Sequence, residues 1–84
     1  MKEIYVLGDC YNRNIYLTKY DNHKEAYDAM KHELDSILGF DSMDEDEVAE
    51  HGYSRGEDYN IDVWGAWCNV DDEQNDWVIE KFEI

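Results

Sequence analysis

Proline is absent from the 84 residues, so neither a cis-prolyl turn nor a polyproline linker contributes to the fold. Cysteine is scarce: Cys10 and Cys68 are too few for a disulfide framework, and both read as reduced thiols filling small packing positions. No apolar run approaches the ~18 residues that a spanning helix needs. The start, Met1-Lys2-Glu3-Ile4, lacks the basic stretch and apolar core of a secretion signal, so a cytoplasmic location is expected. Positive charge is the largest deficit. Seven Lys and Arg stand against 22 Asp and Glu, a net charge of −15, far beyond the magnitude of roughly 2 to 8 that solubility asks of a small domain. Direct binding to nucleic acid or to an anionic membrane is therefore not expected, and a basic protein partner is.

Apolar residues make up 43% of the chain, and three Trp, seven Tyr and two Phe supply large side chains, so the acidity does not signal disorder. One domain spanning residues 1–84, built around one core, is expected at this length. The run Lys2 to Leu7 is β-branched and aromatic and reads as a strand closed by Gly8-Asp9, with Cys10 to Arg13 as a connection and Asn14 to Tyr20 as the hairpin partner. Asn22 followed by Glu25 gives a capping box. Ala26, Met30, Leu34, Ile37 and Leu38 then recur at helical spacing until Gly39. Lys24, Asp28, Lys31 and Asp35 fall on the solvent side of that helix.

Ser42 with Glu45 suggests a second capping box opening a short acidic helix that ends at Gly52, and Gly52 to Asp58 reads as a loop. Tyr59 to Val70 carries apolar groups on both parities and reads as one central strand, with Gly65 marking a bulge or a close backbone approach. Asp71 to Asp76 reads as a polar turn. Trp77 to Ile84 reads as the last strand, with Val78, Phe82 and Ile84 on one side. The expected architecture is α+β: a four-stranded antiparallel sheet of ββα(α)ββ order, one main helix on one face, and the short acidic helix.

The charge is unevenly spread, with fifteen acids and two bases in residues 41–84. Asp41, Asp44, Glu45, Asp46, Glu47 and Glu50 form one cluster. Asp71, Asp72, Glu73 and Asp76 form another, with Glu57 and Asp58 between them. Held in a fixed shape, closely spaced carboxylates stand in for the phosphates that rows of Lys and Arg recognise on a duplex. Such an acidic ridge is the expected partner-binding surface, steered by long-range attraction and weakened by salt. Tyr53 and Trp64 are its candidate aromatic anchors, whereas Trp67 and Trp77 read as core residues.

Other chemistry finds no support in the spacing. Neither Asp44 to Ala49 nor Asp71 to Asp76 has the Gly at the sixth position of an EF-hand loop. His23, His32 and His51 are unrelated in spacing to each other and to the cysteines, so no zinc site forms and all three read as surface histidines. No phosphate-binding Gly loop, nucleophile elbow or Cys-His pair occurs, so no catalytic residue, cofactor or enzymatic activity is expected.

With Asp21-Asn22-His23-Lys24-Glu25-Ala26 opening a helix, an acidic middle, and Trp77-Val78-Ile79-Glu80-Lys81-Phe82-Glu83-Ile84 as a closing strand, the chain resembles small acidic proteins of bacterial viruses and mobile elements. That group includes anti-CRISPR inhibitors and other nucleic-acid mimics. The resemblance implies a phage protein acting in the cytoplasm of a bacterial host cell, which binds a CRISPR effector nuclease where it reads DNA through Arg side chains. Small acidic α/β domains also resemble immunity proteins and antitoxins that neutralise basic nuclease toxins, which is the alternative expectation. A phage accessory protein without inhibitory activity is the third.

Overall fold

In the computed structural model, which describes residues 2–11, 14–52 and 54–84, eight elements follow one another along the chain. They are β1 (Glu3–Tyr11), β2 (Asn14–Tyr20), α1 (His23–Leu38), α2 (Glu45–His51), β3 (Ser54–Arg55), β4 (Tyr59–Asp62), β5 (Gly65–Val70) and β6 (Glu73–Glu83). The strands form one sheet of order β2-β1-β6-β5-β4-β3, antiparallel throughout. The class is α+β as expected, but the sheet has six strands in place of four.

Three local features account for the difference. The stretch Tyr59 to Val70 folds back on itself at Val63-Trp64, because the Asp62 carboxylate accepts the Trp64 N–H at 2.8 Å and closes a tight turn. The polar turn shrinks to Asp71-Asp72, both with positive φ (55° and 65°), so β6 begins at Glu73. The expected loop before Tyr59 contributes the two-residue edge strand β3, paired through Ser54↔Ile61 and Arg55↔Asn60. At the other end of the chain, β1 runs on through Gly8 and Asp9 to Tyr11, because β6 is long enough to pair with every residue from Glu3 to Tyr11. Cys10 is accordingly a strand residue, exposed, and not a packing residue; Cys68 is fully buried.

The principal helix follows its sequence signals closely. Asn22 Oδ1 accepts the Glu25 N–H at 2.9 Å, and Gly39 takes the left-handed conformation (φ 82°) and donates to the Asp35 carbonyl at 2.8 Å. Ala26, Tyr27, Met30 and Leu34 face the sheet and are fully buried, whereas Ile37 is at the margin. Opposite them lie Leu7 of β1, Ile61 of β4, Ala66 and Cys68 of β5, and Trp77 and Ile79 of β6. A Cβ at Gly65 would stand 2.9 Å from the Trp77 carbonyl oxygen, so the glycine marks a close approach of two backbones.

The second helix begins differently from expectation. Asp44 occupies its N-cap without a side-chain bond. The Ser42 N–H is taken by Asp35 of α1, which holds Ser42 against the first helix before the second starts. Val48 anchors α2 in the core.

All helices lie on one side of the sheet, and the molecule is a slab of 42 × 31 × 16 Å. Trp77 is buried as expected. Trp67, also expected in the core, points to the helix-free side and is 38% exposed, because β5 alternates and Ala66 and Cys68 occupy the covered parity.

Candidate partner-binding site

The chain between the helices is stapled to α1 by two long-range bonds. Asp35 accepts the Ser42 N–H at 2.9 Å through one carboxylate oxygen and the Lys31 ammonium at 2.5 Å through the other. The Tyr27 hydroxyl donates to the Met43 carbonyl at 2.8 Å, and burial, reinforced by Asp35 and Asp44, pushes that phenol well above its ordinary range. The start of α2 is held by His23, whose Nδ1 meets the Glu45 carboxylate while Nε2 lies 2.5 Å from the Val63 carbonyl. His23 therefore ties α1 to α2 and to the β4–β5 turn, and it is not the ordinary surface histidine expected.

These ties place Asp41, Asp44, Glu45 and Asp46 beside Asp28 and Asp35, around a groove of about 790 Å³. Six carboxylates face Lys24, Lys31 and His32 there. Lys24 pairs with Asp28 at 3.2 Å and Lys31 with Asp35, each four residues apart on the helix. The Lys24 ammonium is held above its ordinary range by its bond and charge pairing with Asp28. For Lys31, burial works downward, yet the Asp35 pairing with help from Asp41 and Asp44 raises it. Both lysines are thus firmly cationic and already neutralised by their own helix. Asp41, Asp44 and Asp46 are exposed and take part in none of the ion pairs among the described residues.

The remaining acids are distributed elsewhere. Asp71 and Glu73 join Asp9 and Glu33 around a second cavity of about 440 Å³, walled by Tyr16, Ile37 and Trp77. On α1 this lies on the opposite flank from the groove, since Glu33 and Ile37 are turned by about half a circle from Asp28 and Asp35. Trp77 Nε1 donates to Glu33 at 3.0 Å. Burial, then the charge of Asp9, raises the Glu33 carboxyl above the usual range; burial likewise raises Asp9, opposed by its bond from Glu33. Asp72, Glu57 and Asp58 are exposed at the same end of the sheet. Asp76 is on the helix-free face, and Glu47 and Glu50 are exposed on α2.

Of the two acidic clusters, Asp41, Asp44, Glu45 and Asp46 thus share the groove and Asp71 and Glu73 the second cavity, while Glu47, Glu50, Asp72 and Asp76 line neither. Trp64 is 47% exposed at the far end of the sheet, its ring 4.8 Å from His23 and stacked 6.5 Å from Tyr5. Tyr53 lies outside the described residues. Sequence reasoning missed Asp28 and Asp35 as groove residues and Asp9 and Glu33 as cavity residues; in each case the partners come from other elements.

No group of His, Cys, Asp and Glu with the geometry of a metal site occurs among the described residues. Among those residues, too, no helix is long and apolar enough to cross a membrane. Compared with family models, with curated proteins and with solved structures, the chain matches none.

Proposed function

We propose that the protein is an acidic inhibitor which occupies the DNA-binding surface of a basic nucleic-acid enzyme, a CRISPR effector nuclease above all, through the groove between α1 and the start of α2. The supporting observation is the position of Asp41, Asp44 and Asp46. They line one groove, beside the Asp35–Ser42 and His23–Glu45 ties, and enter none of the ion pairs among the described residues. A surface of that kind offers Lys and Arg rows a preset pattern of negative charge in place of phosphates. Little ordering remains on binding, which favours affinity as well as steering. The enzyme itself performs no chemistry on the inhibitor; access of DNA is what changes.

The test is a DNA-binding assay with guide-loaded effector nucleases, run with and without the purified protein at low and at high salt. Loss of target binding at low salt, recovered as salt rises, is the expected result. Unaltered DNA binding at low salt across the nucleases tried, with no complex detected, overturns the reading.

A further inference from the structure

The side of the sheet that carries no helix is apolar where solvent should favour polar residues. Strand register places Leu17, Gly8 and Val78 in one row across β2, β1 and β6, with Ile15 and Cys10 in the next. Leu17 and Ile15 are 73% and 72% exposed, and Val78 and Phe82 are each about half exposed. A Cβ at Gly8 would meet Val78 Cγ1 at 3.3 Å and Leu17 Cδ2 at 3.5 Å, so these two side chains close over the glycine and make the patch continuous across three strands. Beyond the row of Lys19, Val6 and Glu80, Phe82 sits opposite Ile4, and Ile84 exchanges backbone bonds with Lys2, both at 2.8 Å, so apolar residues recur to the end of the sheet on either side of one partly charged row. Contiguous exposed apolar surface of this kind marks an interaction site.

Charge identifies the occupant. Among the described residues the face carries, by register, Lys2, Lys19 and Arg55 against Asp62, Asp76 and Glu80, a balance of zero in a chain of −15. A basic partner would gain nothing there, whereas a second copy would meet a neutral, apolar surface of the same kind. Four strands of about 4.8 Å spacing and roughly 25 Å length present on the order of 500 Å² in projection. With side-chain relief this approaches the ~800 Å² that each partner contributes to a standard interface. Sheets packed face to face sit about 10 Å apart, and both helix layers would then point outward. The groove acids of the two copies would thus be separated by more than the ~8 to 10 Å screening length at physiological salt.

We infer that the helix-free face of the sheet, centred on Leu17 and Val78, is the interface of a two-fold homodimer in which two sheets form a sandwich. This goes beyond the proposed inhibitory role and leaves both acidic grooves accessible.

Sedimentation equilibrium of the whole protein over a wide concentration range, at low and high salt, tests it. The expected result is a species of twice the 10.0 kDa chain mass that is favoured by salt, because screening relieves repulsion between the acidic copies while apolar contact persists. Leu17→Glu and Val78→Glu should each return the protein to a single chain with an unchanged far-ultraviolet circular dichroism spectrum, since both positions are solvent-facing. A single-chain mass at every concentration and both salts overturns the inference. So does a dimer that survives both substitutions, or one that salt dissociates. The opposite salt responses of dimer and inhibitory complex keep the failure of one distinct from the failure of the other.

Discussion

His23 Nε2 lies 2.5 Å from the carbonyl oxygen of Val63, forty residues further along the chain. The other ring nitrogen faces the Glu45 carboxylate, so the one side chain bridges two other elements. The ring also packs edge-on against Trp64. Replacement by alanine removes both bonds. His23→Ala is expected to cost about 1–3 kcal/mol of unfolding free energy, measured by urea denaturation, with Trp64 fluorescence reporting the local change. An unchanged midpoint would show that the tie carries no stability.

The Asp9–Glu33 pair makes stability depend on pH. Both carboxyls titrate above the ordinary range in the folded protein, burial being the first cause for each. A raised folded pKa means that the native state holds its proton more tightly than the unfolded chain. The contribution is therefore complete below the ordinary carboxylate values near 4 and is lost as pH rises through the raised folded values. Glu33→Gln keeps an acceptor for Trp77 Nε1 and supplies an N–H toward Asp9. The variant should be more stable than the parent at neutral pH, with the advantage shrinking as pH falls through the raised folded values toward the ordinary carboxylate range. Denaturant titrations of both proteins across that range check the difference, which removes the general effect of net charge.

Gly65 has no room for a methyl group. The obstructing atom is the backbone oxygen of Trp77 at 2.9 Å, which cannot swing aside as a side chain would. Gly65→Ala should cost about 1–3 kcal/mol, seen as a lowered thermal midpoint. The proposed dimer interface offers no relief, because the clash lies within one chain.

Asp41, Asp44 and Asp46 separate stability from function. All three are exposed and outside the ion pairs among the described residues, so replacing them together with Asn should leave the unfolding free energy within about 0.5 kcal/mol of the parent. Binding to a basic partner should weaken, and its dependence on salt should become shallower, because fewer charges take part. A salt titration of affinity for parent and variant decides whether the groove is the contact surface.

The elements that could be read from the chain were those defined by local chemistry. Asn22, Glu25 and Gly39 bound α1 because capping acts within a few residues, and Ala26, Met30 and Leu34 repeat with the helix period. Asn14–Tyr20 has the bounds expected of it. What escaped was decided at a distance. Val63-Trp64 has no Gly or Asn to announce a turn, and the Asp62 bond that forms it is an ordinary side chain in an otherwise strand-like run. The fold back shifts the buried parity from Ile61 to Ala66 and Cys68, which is why both faces of the uninterrupted stretch looked apolar. The acids behaved similarly. Asp41, Asp44 and Asp46 were conspicuous by density, but Asp28 and Asp35 join them through helix packing, and Asp9 reaches Glu33 only because β1 runs beneath α1.

The turn at Asp71-Asp72 places two adjacent carboxylates on backbone with positive φ, in the position where Asn-Gly would sit more comfortably. Both residues belong to a two-residue connection between long paired strands, so their main chain travels with the sheet and not with a loose tail. The brevity of the turn thus sets two negative side chains next to each other at one end of the sheet.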